Sequence, residues 1–267
     1  MAGSRVDRGG LVARSAGWLI AGLVRAVRVV RSPRPIHPTG VVVVGTVEPI
    51  PGRSVRSGIA WIDDPVRVGV VGRLSRGIGT PVPMPDIWGL ALRLDSGSPG
   101  RSVGAGDLLL ASAGNLGIPW RFVPVPRLSA HGASFTTVMP YRSDDGPVLI
   151  GARTLSGAPA SASTTGVATE LARTAWTLEL LWASPRGRWR PFATVSIRAA
   201  ATDARGGARP AVGAAVDGPG LDDPGVDDPD LRFDPVLSPP PGARTYGWTR
   251  ALREPAYRVA RRGGTRG

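Results

Sequence analysis

The stretch Arg34-Pro35-Ile36-His37-Pro38-Thr39-Gly40 runs directly into Val41-Val42-Val43-Val44. Four consecutive β-branched residues favour an extended chain and predict a buried strand. His37, one of only two histidines in the protein, stands just before this strand, and Arg34 precedes it by three residues. We therefore expect a polar site where the strand begins.

Beyond residue 40 the chain consists of short apolar runs separated by Gly, Pro, Asp and Ser. Such runs, rich in Val, Ile, Thr and Trp, are typical of strands. Hairpin turns are predicted at Arg142–Gly146 and Pro185–Gly187. The pattern predicts an antiparallel barrel or sandwich in a mainly β, α+β fold, and a closed eight-stranded barrel would leave no unpaired edges. The predicted strands are 41–48, 66–74, 88–95, 107–112, 133–140, 147–154, 174–183 and 191–198.

The composition divides the chain into four predicted segments. A basic amphipathic helix is expected over 11–31; its apolar run is too short to cross a bilayer, so it either packs on the domain or lies on a membrane surface. Within the barrel, residues 155–168 are expected to form a Ser/Ala/Gly/Thr-rich loop. A last helix is predicted at about 246–262. The segments are 1–33 (disordered start and helix), 34–198 (barrel), 199–230 (Ala/Gly/Pro/Asp-rich linker) and 231–267 (C-terminal helical segment with a basic tail).

The charge and the cysteine count exclude several kinds of site. The net charge is +13, and every basic side chain is arginine, which forks onto carboxylates, phosphates and propionates. The arginines are not interleaved with aromatics and no nucleic-acid motif is present, so a nucleic-acid partner is not expected; the bias also fits a GC-rich genome. With no cysteine, disulfides and cysteine-ligated metals are excluded, and two histidines argue against a His-rich metal site.

Four separate sequence motifs contain polar residues that could form a catalytic or binding site. The first and second are Arg34-x-x-His37-x-x-Gly40 and Gly72-Arg73-Leu74-Ser75. The third begins at Asp86 and continues through Gly89, Ala91 and Arg93 to Asp107; the fourth is Arg253-Glu-Pro-Ala-Tyr257.

In this order the four pieces resemble the catalase family, and Phe233-Asp-Pro with Pro239-Pro-Pro-Gly242 resembles the stretch upstream of the catalase tyrosine. The resemblance covers about 34–262. It implies a catalase-like eight-stranded barrel, a haem between the barrel and the last helix, and action on peroxides. By this resemblance Tyr257 would be the axial iron ligand, His37 the distal acid/base oriented by Ser75, and Arg34 and Arg73 the partners of the propionates.

Elementary chemistry is compatible with these roles. Arg253 lies one helical turn before Tyr257 and could stabilise its phenolate. A neutral histidine oriented by a hydroxyl can take a proton from one peroxide oxygen and return it to the other.

The sequence departs from the catalase pattern at several positions. A tryptophan, Trp88, stands where the third motif has an arginine. The catalase asparagine four residues after the aspartate falls on Ala111; Asn115 could take its catalytic role only if the loop is rebuilt. A peroxidase-like or sensing haem protein therefore fits better than an efficient catalase.

Two other functions stay open from the residues alone. One is a haem-free hydrolase or phosphodiesterase on the same barrel, with His37 and the arginines binding phosphate. The other is a non-catalytic interaction protein. We expect a cytoplasmic protein, with peripheral membrane contact through 11–31 as the alternative, and the oligomeric state is not predicted.

Overall fold

A computed structural model describes residues 40–52, 56–94, 105–114, 116–202, 208–209 and 233–249, and the fold below refers to these residues. The helix expected over 11–31 lies outside them. So do most of the linker and the last helix beyond residue 249.

The described chain is mainly β-strand. Two short helices, α1 (Ala60–Asp63) and α2 (Thr164–Arg173), and a 3₁₀ turn at Trp120–Phe122 connect the strands. The strands are β1 Gly40–Pro49, β2 Val68–Arg76, β3 Trp88–Leu94, β4 Gly106–Ala113, β5 Ser134–Thr136, β6 Tyr141–Ser143, β7 Gly146–Ser156, β8 Trp176–Ala183, β9 Arg190–Ala199, β10 Ala201–Thr202 and β11 Ala208–Arg209.

Eight of these strands close into an antiparallel barrel. The hydrogen-bonded order is β5-β4-β3-β2-β1-β9-β8-β7, and pairing of β5 with β7 closes the ring. β6 forms a hairpin with the start of β7, while β10 and β11 pair only with each other. Closure pairs the two strands that would otherwise be edges, which confirms the predicted eight-stranded antiparallel barrel.

Alternation along the strands fills the barrel. On β3, for example, Trp88, Leu90, Leu92 and Leu94 are fully buried, and the residues between them are half-buried. Successive side chains point to opposite faces of a strand, so one set lines the interior and the other faces outward. Trp61 of α1 packs edge-to-face on Phe192, with 5.2 Å between ring centroids, and adds a large apolar surface to the core.

The helix α2 falls partly where the sequence predicts a loop. Ser163 caps it, because its hydroxyl accepts a hydrogen bond from the Gly166 N–H at 3.0 Å. Val167 and Leu171, one turn apart, are fully buried against the barrel. The loop prediction was wrong for residues 164–168, because their small polar composition hides a helix that tertiary packing stabilises.

The segment 233–249 binds to the barrel through its backbone. The Asp107 N–H donates to the Ser238 carbonyl at 2.7 Å, and the Trp61 N–H donates to the Pro241 carbonyl at 3.3 Å. Arg142 and Arg244 exchange two backbone hydrogen bonds. These contacts connect the Phe233-Asp-Pro stretch and the prolines after it to β4, α1 and β6. Within the described residues, the helices are all too short or too polar to span a bilayer.

Candidate functional site

The outward-facing residues of the first four strands form a surface that we call the β1–β4 face. Its residues alternate with core residues such as Val41, Leu74, Leu90 and Leu110. The strand register aligns the residues of the face in rows across the four strands, and two of these rows contain predicted site residues. The first row is Gly40, Ser75, Gly89 and Ala111, and the second is Val42, Arg73, Ala91 and Leu109.

The face brings together Arg73 and Ser75, two of the predicted site residues. Ser75 is 5% exposed and Arg73 is half-buried. Both sit on β2, two residues apart, so their side chains lie on the same side of the strand. The other members of the two rows are apolar or have no side chain. These two rows therefore combine one cation and one hydroxyl with apolar groups.

Gly40 allows the Arg73 side chain to lie across the start of β1. A Cβ added at residue 40 would stand 2.4 Å from Arg73 Nε and 3.1 Å from the Ser75 Cβ. Contacts this close do not occur in real structures, so any side chain at 40 would displace the arginine. The glycine of the first motif thus has a physical reason, because it leaves the space that Arg73 occupies.

In the sequence resemblance to catalases, Ala111 falls at the position of the catalase asparagine. It pairs with Gly89 on β3 and stands in the same row as Ser75. Its methyl group can make van der Waals contact but no hydrogen bond. Within the described residues of this row, Ser75 is the one side chain with a hydrogen-bonding group.

Asp107 and Arg93, both from the third motif, form an ion pair that holds the C-terminal segment. Arg93 forks onto the carboxylate, with Nε 2.8 Å from Oδ1 and Nη2 3.1 Å from Oδ2. This hydrogen bond raises the pKa of Arg93. Asp107 is 1% exposed and also accepts the Asp234 N–H at 2.6 Å, while the Arg93 guanidinium lies 5.3 Å from the ring centre of Phe233. These residues connect β3, β4 and the segment 233–249.

Asp86, another residue of the third motif, pairs with Arg76 in the barrel wall. The two side chains are 0% and 3% exposed. The Asp86 carboxylate accepts the Ile78 and Thr80 N–H groups at 2.7 and 2.8 Å, with Arg76 Nε at 3.4 Å. Arg76 Nη2 donates to the Met84 carbonyl at 2.8 Å. The pair therefore fixes the β2–β3 connection immediately after Ser75.

Arg121 is a buried cation that the sequence does not single out. It is 5% exposed; its guanidinium donates to the Leu116 carbonyl at 3.1 Å and the Gly187 carbonyl at 2.9 Å, and lies 5.0 Å from the ring centre of Trp189. Burial lowers the pKa of Arg121. It joins the loop after β4 to the β8–β9 hairpin. No local pattern predicts this bridge, because the Gly187 carbonyl and the Trp189 ring are more than sixty residues away in the chain.

The structure does not describe the remaining predicted site residues. Arg34, His37, Asn115, Arg253 and Tyr257 all lie outside the described residues. In the part of the chain that the structure describes, no group of three or more His, Cys, Asp or Glu side chains could hold a metal ion.

Comparison with known proteins adds the class of fold. A solved structure of a bacterial catalase matches with a TM-score of 0.52 and 11% sequence identity. The match covers 98% of this chain and 61% of the catalase chain, so this chain spans about three fifths of that protein's length. No protein-family model matches, and no curated protein matches. At this identity the likeness concerns the fold alone: the protein has a catalase-like fold.

Proposed function

We propose that this protein binds haem against the β1–β4 face and acts on a peroxide. The observation that supports the proposal most strongly is the register that sets Arg73 and Ser75 side by side among Gly40, Gly89 and Ala111, on a barrel of catalase-like fold. Gly40, Arg73, Ser75 and Gly89 belong to the motifs of the catalase resemblance, whereas Ala111 is a position where the chain departs from it.

The described residues fit a haem on this side. A flat macrocycle needs a flat apolar surface, and Gly89, Ala91 and Ala111 have little or no side chain to interrupt one. A haem also carries propionates, and the half-buried Arg73 supplies a fixed cation of the kind that forks onto carboxylates.

The proposed roles of the other residues follow the resemblance. Tyr257 would hold the iron as phenolate, with Arg253 one helical turn earlier stabilising that charge. His37 would move the peroxide proton, with the Ser75 hydroxyl orienting its ring. His37 is three residues before Gly40, so its Cα lies within about 11 Å of the Gly40 Cα. Haem, when bound, would supply the redox chemistry with peroxide. The residues of the chain would bind the haem, orient the peroxide and move its proton.

Ala111 favours a peroxidase-like activity over hydrogen peroxide dismutation. Its methyl group leaves the Ser75 row without the amide that the catalase pattern places there. A bound peroxide would have one fewer hydrogen-bonding partner to hold it in position, and losing such a contact slows a reaction that depends on orientation. We therefore expect slow oxygen evolution.

The absorption spectrum of protein purified from haem-replete cells tests the proposal. A Soret band that is lost in Tyr257→Phe and retained in Tyr246→Phe is expected, since both are tyrosines of the C-terminal segment and only Tyr257 is the proposed ligand. A colourless protein that takes up no haem on reconstitution would refute it.

A second comparison tests the β1–β4 face itself. Arg73→Ala should weaken haem uptake, whereas Arg198→Ala, which removes an exposed arginine from β9, should not. In the haem-loaded protein, peroxide turnover that is unchanged in His37→Ala would exclude the proposed proton transfer.

A further inference from the structure

A cavity of about 220 Å³ opens where β1 and β8 end and β9 begins. It is lined from three parts of the chain: the β1–α1 loop, the β6–β7 turn and the β8–β9 hairpin. The lining includes Arg56, Ser57, Asp145, Trp182, Arg188 and Arg190. None of these residues belongs to the β1–β4 face.

The cavity is strongly cationic. Three arginines line it, opposed by the single carboxylate of Asp145. Within the described residues, Arg56, Arg188 and Arg190 form no ion pair; the ion pairs there involve other arginines. Arginines from two separate loops converge here without acidic partners of their own, and like charges repel unless an anion lies between them.

The indole of Trp182 lines the cavity beside one of the arginines. Trp182 is 8% exposed. The Arg190 guanidinium lies 5.6 Å from the centre of the Trp182 ring.

We propose that this cavity binds a small soluble phosphate-type oxyanion, such as inorganic phosphate or a small phosphate monoester. Planar guanidinium groups on two loops match the oxygens of such an anion, and arginine is the side chain best suited to this recognition. The volume corresponds to about seven water molecules at ~30 Å³ each, which leaves room for a phosphate and a small substituent.

This binding site is separate from the proposed haem face. Gly40 lies at the start of β1, whereas the cavity is lined by Arg190, three residues before Ala193, which pairs with Pro49 at the other end of β1. Nine steps of ~3.3 Å separate Gly40 and Pro49 by about 30 Å. Phosphate binding therefore does not depend on the proposed function, and either proposal can fail alone.

Isothermal titration of the purified full chain with inorganic phosphate, at constant ionic strength, tests this proposal. Arg188→Ala and Arg56→Ala should each raise the Kd tenfold or more, because a hydrogen bond to a charged group contributes at least about 1.4 kcal/mol. Arg186→Ala is the matched control: it removes an exposed arginine from the same hairpin that does not line the cavity, and it should leave the Kd unchanged.

The arginines to be changed are exposed, so the variants are expected to fold, and circular dichroism melting checks that they do. Absence of binding heat in the unchanged protein would overturn the proposal. So would equal weakening by Arg186→Ala, because that result indicates non-specific attraction to a basic surface.

Discussion

Replacing Asp86 by asparagine should destabilise the barrel strongly, although the two side chains have nearly the same shape. The substitution removes the negative charge that faces Arg76, and the arginine, 3% exposed, cannot reach water to compensate. Arg76 keeps only neutral acceptors, among them the Thr80 and Met84 carbonyls. A buried cation without its counter-ion is the unfavourable state that the carboxylate prevents.

The magnitude follows from the hydrogen bonds that are lost. Asparagine retains one acceptor oxygen, so it can still receive one of the Ile78 and Thr80 N–H groups; its amide cannot receive the other. Breaking a buried pair costs about 3–5 kcal/mol, and the retained carbonyl contacts place this case near ~3 kcal/mol. In a domain of this size, that loss lowers the Tm by about 6–12 °C.

Urea unfolding followed by tryptophan fluorescence and circular dichroism measures this loss. Glu48→Gln is the control, because it breaks an exposed ion pair: the side chains of Arg67 and Glu48 are 67% and 47% exposed. This change should cost less than about 1 kcal/mol. The double variant Arg76→Met with Asp86→Asn should recover much of the lost stability, because it removes the buried cation that Asp86→Asn leaves without a counter-ion.

An Asp86→Asn variant that loses less than about 1 kcal/mol would refute the reasoning. That result would mean that the ion pair contributes no more than a surface pair, and that the β2–β3 connection is held by its backbone contacts alone. Ser75, which precedes Arg76, would then owe its position to the strand pairing and not to this anchor.

Three further changes test the same structure. Gly40→Val should displace Arg73 and abolish haem uptake while the barrel melts within a few degrees of the unchanged protein; unaltered uptake would contradict the close approach at residue 40. Ala111→Asn should raise oxygen evolution from peroxide by about tenfold, the effect of one added hydrogen bond on the barrier; no increase would remove Ala111 as the limiting position. Arg121→Ala should cost about 2–3 kcal/mol and increase hydrogen exchange around Trp189; equal protection in both proteins would contradict the proposed bridge between the two loops.

The barrel could be predicted from sequence because its strands are marked locally. Each of the eight predicted strands overlaps an observed barrel strand, and the hairpin predicted at Arg142–Gly146 joins β6 to β7. Alternation of apolar and small or polar residues also determines which side of each strand faces inward. The main error was α2, whose two buried residues, Val167 and Leu171, give too weak a pattern against its small polar neighbours.

The candidate site could be predicted from the sequence only in part. The motifs identified Arg73, Ser75 and the position of Ala111, and the register supplied the reason that they belong together. The sequence did not show that Asp86 serves as the partner of a buried arginine, since Arg76 is ten residues away in the chain. Nor did it indicate the cationic cavity, whose arginines are far apart in the chain.

By itself, the sequence determined the strands, their inward faces and an antiparallel barrel or sandwich, because these depend on short-range periodicity and on the need to bury apolar residues. Closure into a barrel came with the pairing of β5 and β7. The tertiary structure decided which polar residues meet. Contacts such as Arg121 with the β8–β9 hairpin, or Arg56 with Arg188 around one cavity, depend on how the loops fold back across the barrel ends. Ion pairs and carbonyl contacts between residues so far apart in the chain leave no local sequence pattern. They form only when the barrel closes, so they cannot be predicted from the sequence.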